Sequence, residues 1–241
     1  MLKRVLMGLT DVVFPPSCIS CGGVMDQRED CCFCDRCESQ IACIRSPVCP
    51  CCGMPMSGES GSDHLCGECL RERPPFSRAR SLGRYEKTLL ATIHKFKYGG
   101  KVAIGEILGN WMAAYDYPDF EIGNQSLIIP VPLHRKRLRE REFNQSAILA
   151  KAISRRFSIP LDLTTLKRRV YTEPQVTLGK GDRETNVRGA FELRAPERLH
   201  GQRVILVDDV YTTGSTVKEC ARILMKNKAA DVAVLTLARA V

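Results

Sequence analysis

The chain has 241 residues, is 44% hydrophobic and carries a formal charge of +9. That length holds one ordinary domain plus a small one. The apolar fraction excludes general disorder, and no run reaches the ~18–20 apolar residues that a membrane-spanning helix needs.

The charge is uneven along the chain. Residues 1–76 hold 7 Lys and Arg against 10 Asp and Glu, and the remainder holds 29 against 17. A basic larger part suits an anionic partner, such as phosphate esters or nucleic acid; a merely solvated basic face is the plain alternative. The N-terminal stretch "MLKRVLMGLTDVVF" sets Leu2, Val5, Leu6, Leu9, Val12 and Val13 on one helical face. With no small-residue cleavage site after it, it reads as a short amphipathic helix docked on the protein rather than a signal peptide. Its polar face is not rich in Lys or Arg, which sets it apart from membrane-surface helices.

Twelve of the thirteen cysteines fall between positions 18 and 69. They are spaced Cys18-x2-Cys21-x12-Cys34-x2-Cys37, then Cys49-x2-Cys52-x13-Cys66-x2-Cys69. Two Cys-x-x-Cys knuckles supply the four thiolates of a tetrahedral zinc site, so two structural zincs are expected. The first unit has a second register, because Cys31 with Cys34 is also an x2 pair, and Cys32, Cys43 and Cys51 are spare. Cys34 and Cys37 are preferred because they match the spacing of the second unit. Gly22, Gly53 and Gly67 beside the ligands suit knuckle turns, where positive φ is often needed. Paired cysteines without an export signal predict reduced thiols holding metal, and hence a cytoplasmic protein. Cys220 stands alone in a helical pattern and reads as a small buried apolar residue.

Pro74 and Pro75 close the cysteine-rich part, and a boundary near residue 76 gives domains 1–76 and 77–241. Beyond it, helical and strand patterns alternate. "EKTLLATIHKFKYGG", "IGEILGNWMAAYD", "NQSAILAKAISRRF" and "STVKECARILMKN" have helical spacing, while "SLIIPVP", "RVILVDD" and "DVAVLTLARA" read as strands. Strands separated by helices predict an α/β fold, a parallel sheet flanked by helices.

One strand runs into chemistry, at "RVILVDDVYTTGSTV". In an open parallel sheet, ligands bind at the carboxyl ends of strands. Asp208 and Asp209 stand there and can accept from the vicinal hydroxyls of a ribose. Tyr211, Thr212, Thr213, Gly214, Ser215 and Thr216 then lead into a helix, whose N-terminal amides suit a phosphate. A capped helix alone would explain one hydroxyl, not two acids and four hydroxyls. No Lys follows Gly214 as in a Walker loop, and no G-x-G-x-x-G occurs.

The stretch closely resembles the phosphoribosyl pyrophosphate (PRPP) signature of type I phosphoribosyltransferases. With "IHKFKY", "IIPVPLHRKRLREREFNQ", "YTEPQVTLGKGDRETNVRGAF" and the N-terminal zinc ribbons, nearly the whole chain resembles the ComF family, linked to DNA uptake in natural transformation. The resemblance implies that Asp208 and Asp209 bind ribose hydroxyls, that residues 211–216 wrap the 5-phosphate, and that Mg²⁺ accompanies PRPP. It places a pyrophosphate loop at Val131, Pro132, Leu133, His134 and Arg135, with Arg139 and Arg141 in reach of further phosphate oxygens. The "YTEPQVTLGKGDRETNVRGAF" segment would be the mobile hood. Glu142 departs from the family's usual Arg-Gly-Phe-Asn-Gln, which puts the local turn in question if that glycine supplies a positive φ.

No residue identifies itself as catalytic, and no glutaminase domain or N-terminal catalytic cysteine is present, which argues against glutamine-dependent transfer. Three readings stand: a PRPP-binding member of the DNA-uptake machinery, a transferase with an unknown acceptor, or a PRPP-sensing module that binds single-stranded DNA through its backbone phosphates. Proteins of the uptake machinery are partners under the first.

Overall fold

A computed structural model of the chain describes residues 16–25, 32–56, 61–171 and 187–241. The expected N-terminal helix, Cys31 and most of the expected hood segment lie outside these residues. In chain order, short helices α1 (Asp35–Glu38) and α2 (Gly67–Arg71) belong to the cysteine-rich part. Then come β1 (Arg78–Arg84), α3 (Lys87–Tyr98), α4 (Val102–Ala114), β2 (Leu127–Pro130), α5 (Arg135–Arg141) and α6 (Gln145–Phe157). After these follow β3 (Leu166–Arg168), β4 (Phe191–Leu193), β5 (Arg203–Tyr211), α7 (Ser215–Lys226) and β6 (Asp231–Arg239).

The main sheet is parallel, in the order β1-β6-β5-β2, and β3 pairs antiparallel with β4. The side-chain period of two sorts the central strands into two layers. Ile205, Val207, Ala233, Leu235 and Leu237 face α3, α4 and α6, where Leu89, Ile93, Phe96, Leu108, Met112, Leu149 and Ile153 are buried. Val204, Leu206, Val232 and Val234 face α7 and the β3–β4 hairpin, meeting Val217, Cys220, Leu224, Leu166 and Phe191. Each such buried side chain contributes roughly 1.5–3 kcal/mol, so both faces of the sheet hold the strand ends in place. Cys220 is fully buried, in line with its sequence pattern.

The first ribbon is not insulated from this core. Cys18, Phe33 and Cys37 join the same buried cluster as Leu82 and Leu89, and Lys95 donates to the Ser20 carbonyl.

Besides the short β3 and β4, which the sequence reading does not contain, three elements depart from it. β1 looks polar, with three arginines in seven residues, yet Arg80 is buried, its Nε donating to the Pro118 carbonyl and its Nη1 to those of Pro50 and Ala79. β5 runs two residues past Asp209, because β6 continues beside it as far as the Tyr211–Arg239 pair. The segment after "PVPLH" is a helix, α5, with no buried residue and therefore no apolar stripe to reveal it.

Glu142 ends α5 in the left-handed conformation, with φ +67°, and its amide donates to Leu138 O at 2.8 Å. The turn that suits a glycine is thus made by a glutamate at a strain of about 1–2 kcal/mol. Glu142→Gly should raise stability by roughly 0.5–1 kcal/mol, because glycine's extra freedom in the unfolded chain takes back part of the gain. Thermal melts of the two proteins check this; a lower melting temperature for the glycine variant would refute it.

Candidate functional site

β2 ends at Pro130, level with Val207. Beyond that point β5 keeps β6 as a neighbour but loses its pairing with β2, and Asp208 and Asp209 stand there, past the end of β2. Adjacent strand residues point to opposite faces, so the acids meet different partners. Asp209 forms a 2.7 Å ion pair with Lys97 Nζ near the C-terminus of α3. Asp208 Oδ1 accepts from Ser146 Oγ at 2.8 Å and from the Asp209 amide at 2.9 Å. Burial, reinforced by the Asp209 charge, pushes the Asp208 carboxyl up to about 7, against the pull of Ser146. Burial alone would lower the Lys97 ammonium, but Asp209 beside it prevails and raises it. The site thus holds one acid compensated by a cation and a second poised to ionise near neutrality.

The following loop leads to Gly214, which caps α7 at φ +78°. A Cβ there would run into the Tyr211 ring and hydroxyl, so glycine is required by both conformation and space. The Thr213 and Ser215 hydroxyls lie 2.8 Å apart. Thr212 is exposed, and Thr213 and Thr216 are half-buried. Tyr211 differs from its neighbours: its side chain is buried and lies 4.2 Å beneath the Arg239 guanidinium. It supports the loop from below.

The second loop leaves β2 on the same side of the sheet. Its Val131 amide is used by the sheet, donating to Val207 O at 2.8 Å, and Pro132 has no amide hydrogen. Leu133, His134 and Arg135 therefore carry the remaining amides of the expected phosphate loop. His134 caps α5, its Nδ1 accepting from the Lys136 amide at 3.2 Å. Asn144 caps α6 and also donates from Nδ2 to Val131 O at 3.1 Å. One asparagine thus ties this loop to the helix turn that carries Ser146 and reaches Asp208. Beside the loop is a cavity of about 540 Å³ whose lining includes Arg135, Lys167, Arg168, Arg169 and Arg194, with Glu192 as its acid. Arg139 lies outside that lining; Arg141 is occupied by Tyr98, donating to its hydroxyl at 3.3 Å.

The cysteines assemble into two groups, Cys18, Cys21, Cys34 and Cys37, and Cys49, Cys52, Cys66 and Cys69. Within each, all sulfurs lie within 4.8 Å of one another. Four thiolates at about 2.3 Å from zinc stand about 3.8 Å apart. The Cys21–Cys34 sulfurs are 3.7 Å apart and the Cys52–Cys66 sulfurs 3.6 Å, so the donor set fits a closed tetrahedral zinc. Cys32, Cys43 and Cys51 stand outside both groups. Gly22 and Gly53 take positive φ, but Gly67 does not; it is the first residue of α2. Elemental analysis should find about two zincs per chain, and a value near zero in natively purified protein would contradict the assignment.

Lys97 lies within "IHKFKY" and Ser146 directly follows "EFNQ", but sequence reasoning assigns neither a role; their contacts to the acids are made by the fold.

Residues 144–240 match the family described as phosphoribosyl transferase domain, and residues 9–70 the double zinc ribbon domain. The DNA utilization protein YhgH of Escherichia coli O157:H7 is 34% identical over 86% of this chain and 90% of its own length. Competence protein F of Haemophilus influenzae is 33% identical, covering 92% of this chain and 96% of its own. Competence protein ComFC of Bacillus subtilis is 30% identical, covering 86% and 83%.

Proposed function

The chain belongs to the ComF family, a double zinc ribbon joined to a phosphoribosyltransferase domain, and from that membership we propose that it binds PRPP. The ribose hydroxyls go to Asp208 and Asp209, and the 5-phosphate to the loop 211–216. The observation that carries this reading is the placement of two adjacent acids, held by Ser146 and Lys97, a few residues before the hydroxyl-rich entrance of α7. The pyrophosphate lies toward residues 133–135 and the basic cavity. Asp208 and Asp209 offer hard oxygen donors of the kind Mg²⁺ accepts, and with the phosphates of the ligand would hold the ion. When bound, it would neutralise charge on the leaving group. The chain's own residues orient the sugar and position the phosphates.

The same reading puts the protein in DNA uptake and utilization, in the cytoplasm, with the machinery for those processes as partner and a division of the chain near residue 76. Single-stranded DNA is a second ligand, favoured by the wholly unburied α5 with its five Lys and Arg residues. It would be held by backbone phosphates, so binding should fall steeply with salt and show little sequence preference. No helix among the described residues is long and apolar enough to cross a membrane.

PRPP titration by calorimetry, with and without Mg²⁺, tests the central claim, and no heat under either condition would refute it. Pyrophosphate released on adding candidate acceptors would mark a transferase; binding without release would mark a sensor or handling protein.

A further inference from the structure

We propose that Arg239 is a positioning residue that couples the second zinc ribbon to the phosphate loop. It is the last residue of β6 and pairs in register with Tyr211, the last of β5. Its side chain is 3% exposed. Nη1 donates to the Cys52 carbonyl at 2.8 Å, and Nη2 lies 3.8 Å from Cys52 Sγ. Its guanidinium carbon stands 4.2 Å from the centre of the Tyr211 ring, and that ring fills the space a side chain at position 214 would need.

A continuous set of contacts therefore runs from a zinc ligand, through Arg239 and the Tyr211 ring, to the Gly214 turn that opens α7. The chemistry explains why an arginine stands there. Among the described residues no carboxylate pairs with Arg239, and a buried unpaired cation is costly. Four thiolates around one Zn²⁺ carry a net negative charge, so the loaded ribbon supplies the missing counter-charge. Groups that hydrogen-bond to metal ligands fix their orientation, so the coupling acts in both directions. Among the described residues, the other hydrogen bonds from this knuckle to the sheet, Arg80 to Pro50 O and the Ala79 amide to Cys51 O, lead to β1 and not to the loop. Arg239 reaches the ligand side.

The naming of the loop's ligand rests on the PRPP reading, but the coupling does not, and the test separates them. Amide exchange of residues 211–216 is followed by mass spectrometry in the full, zinc-loaded chain without ligand. Arg239→Met should speed exchange there at least tenfold, and Arg239→Lys, which keeps charge but loses the fork, should fall between. Cys52→Ser should give the same acceleration, and the double variant no more than either single one. In a second arm, with PRPP as the probe, saturating ligand should raise the equilibrium zinc affinity of the second site, read by competition with a chelator, in the wild type but not in Arg239→Met, as reciprocal coupling requires. Unchanged exchange in Arg239→Met, or additive effects with Cys52→Ser, would overturn the proposal. If Arg239→Met does not fold, Arg239→Lys and wild-type exchange with and without zinc decide it. If PRPP fails to bind the wild type, the ligand assignment falls while the exchange arm still judges the coupling.

Discussion

Converting Asp208 and Asp209 together to asparagine should abolish measurable PRPP binding, and Asp209→Asn alone should weaken it at least tenfold. A carboxylate accepting from a sugar hydroxyl makes a charge-assisted hydrogen bond of ~1.5–3 kcal/mol, and ~1.4 kcal/mol is already a factor of ten. Loop hydroxyls share one phosphate, so losing any one of them costs less. The pH dependence gives a second readout. With Asp208 titrating at about 7, the ionised fraction falls about tenfold from pH 8 to pH 6. If the ligand needs the carboxylate, affinity should follow, and Asp208→Asn should flatten that part of the profile. Without ligand the sign is reversed. The folded protein keeps a proton on Asp208 up to about pH 7, whereas the unfolded chain releases it near the ordinary ~3.9. Stability from the neutral acid is thus complete below ~4 and is lost as pH rises through about 7. Asp208→Asn should therefore stabilise the free protein at pH 8 and do little at pH 4. Undiminished PRPP affinity in the double variant would show that the acids are not ligands. Tighter binding would show that repulsion of a polyanion outweighs the hydroxyl contacts.

What the sequence reveals and conceals follows from how each element earns its burial. β5 and β6 are apolar runs, and α6 and α7 carry one-sided stripes, so pattern alone exposes them. β1 hides because Arg80 is buried on backbone carbonyls, a solution that no hydropathy pattern encodes. The β3–β4 hairpin hides because its strands have three residues each, too short for a period to show. The eight ribbon cysteines are legible because metal geometry dictates their spacing. Asp208 and Asp209 are legible because local chemistry repeats around them. Ser146 is not, since its bond to Asp208 joins residues 62 positions apart, and such contacts exist only once the sheet has formed.

Lys97 is the extreme case, and removing it should have the largest effect on stability of any change near the site. The ion pair with Asp209 is mostly shielded, the two side chains being 17% and 12% exposed. Lys97→Met leaves the carboxylate there without its cation. Breaking fully buried pairs costs ~3–5 kcal/mol; residual solvent access reduces this to roughly 2–3 kcal/mol. For a chain of this size that is a fall in melting temperature of roughly 5–10 °C. Adding Asp209→Asn should restore most of the loss, because a missing pair is cheaper than half of one. The two effects on ligand separate cleanly: Asp209→Asn rescues stability in the Lys97→Met background but cannot rescue PRPP binding if Asp209 is itself a ligand. Rescue of both would mean that neither the Asp209 carboxylate nor the Lys97 ammonium is needed to hold the ligand, and that the pair serves the fold alone.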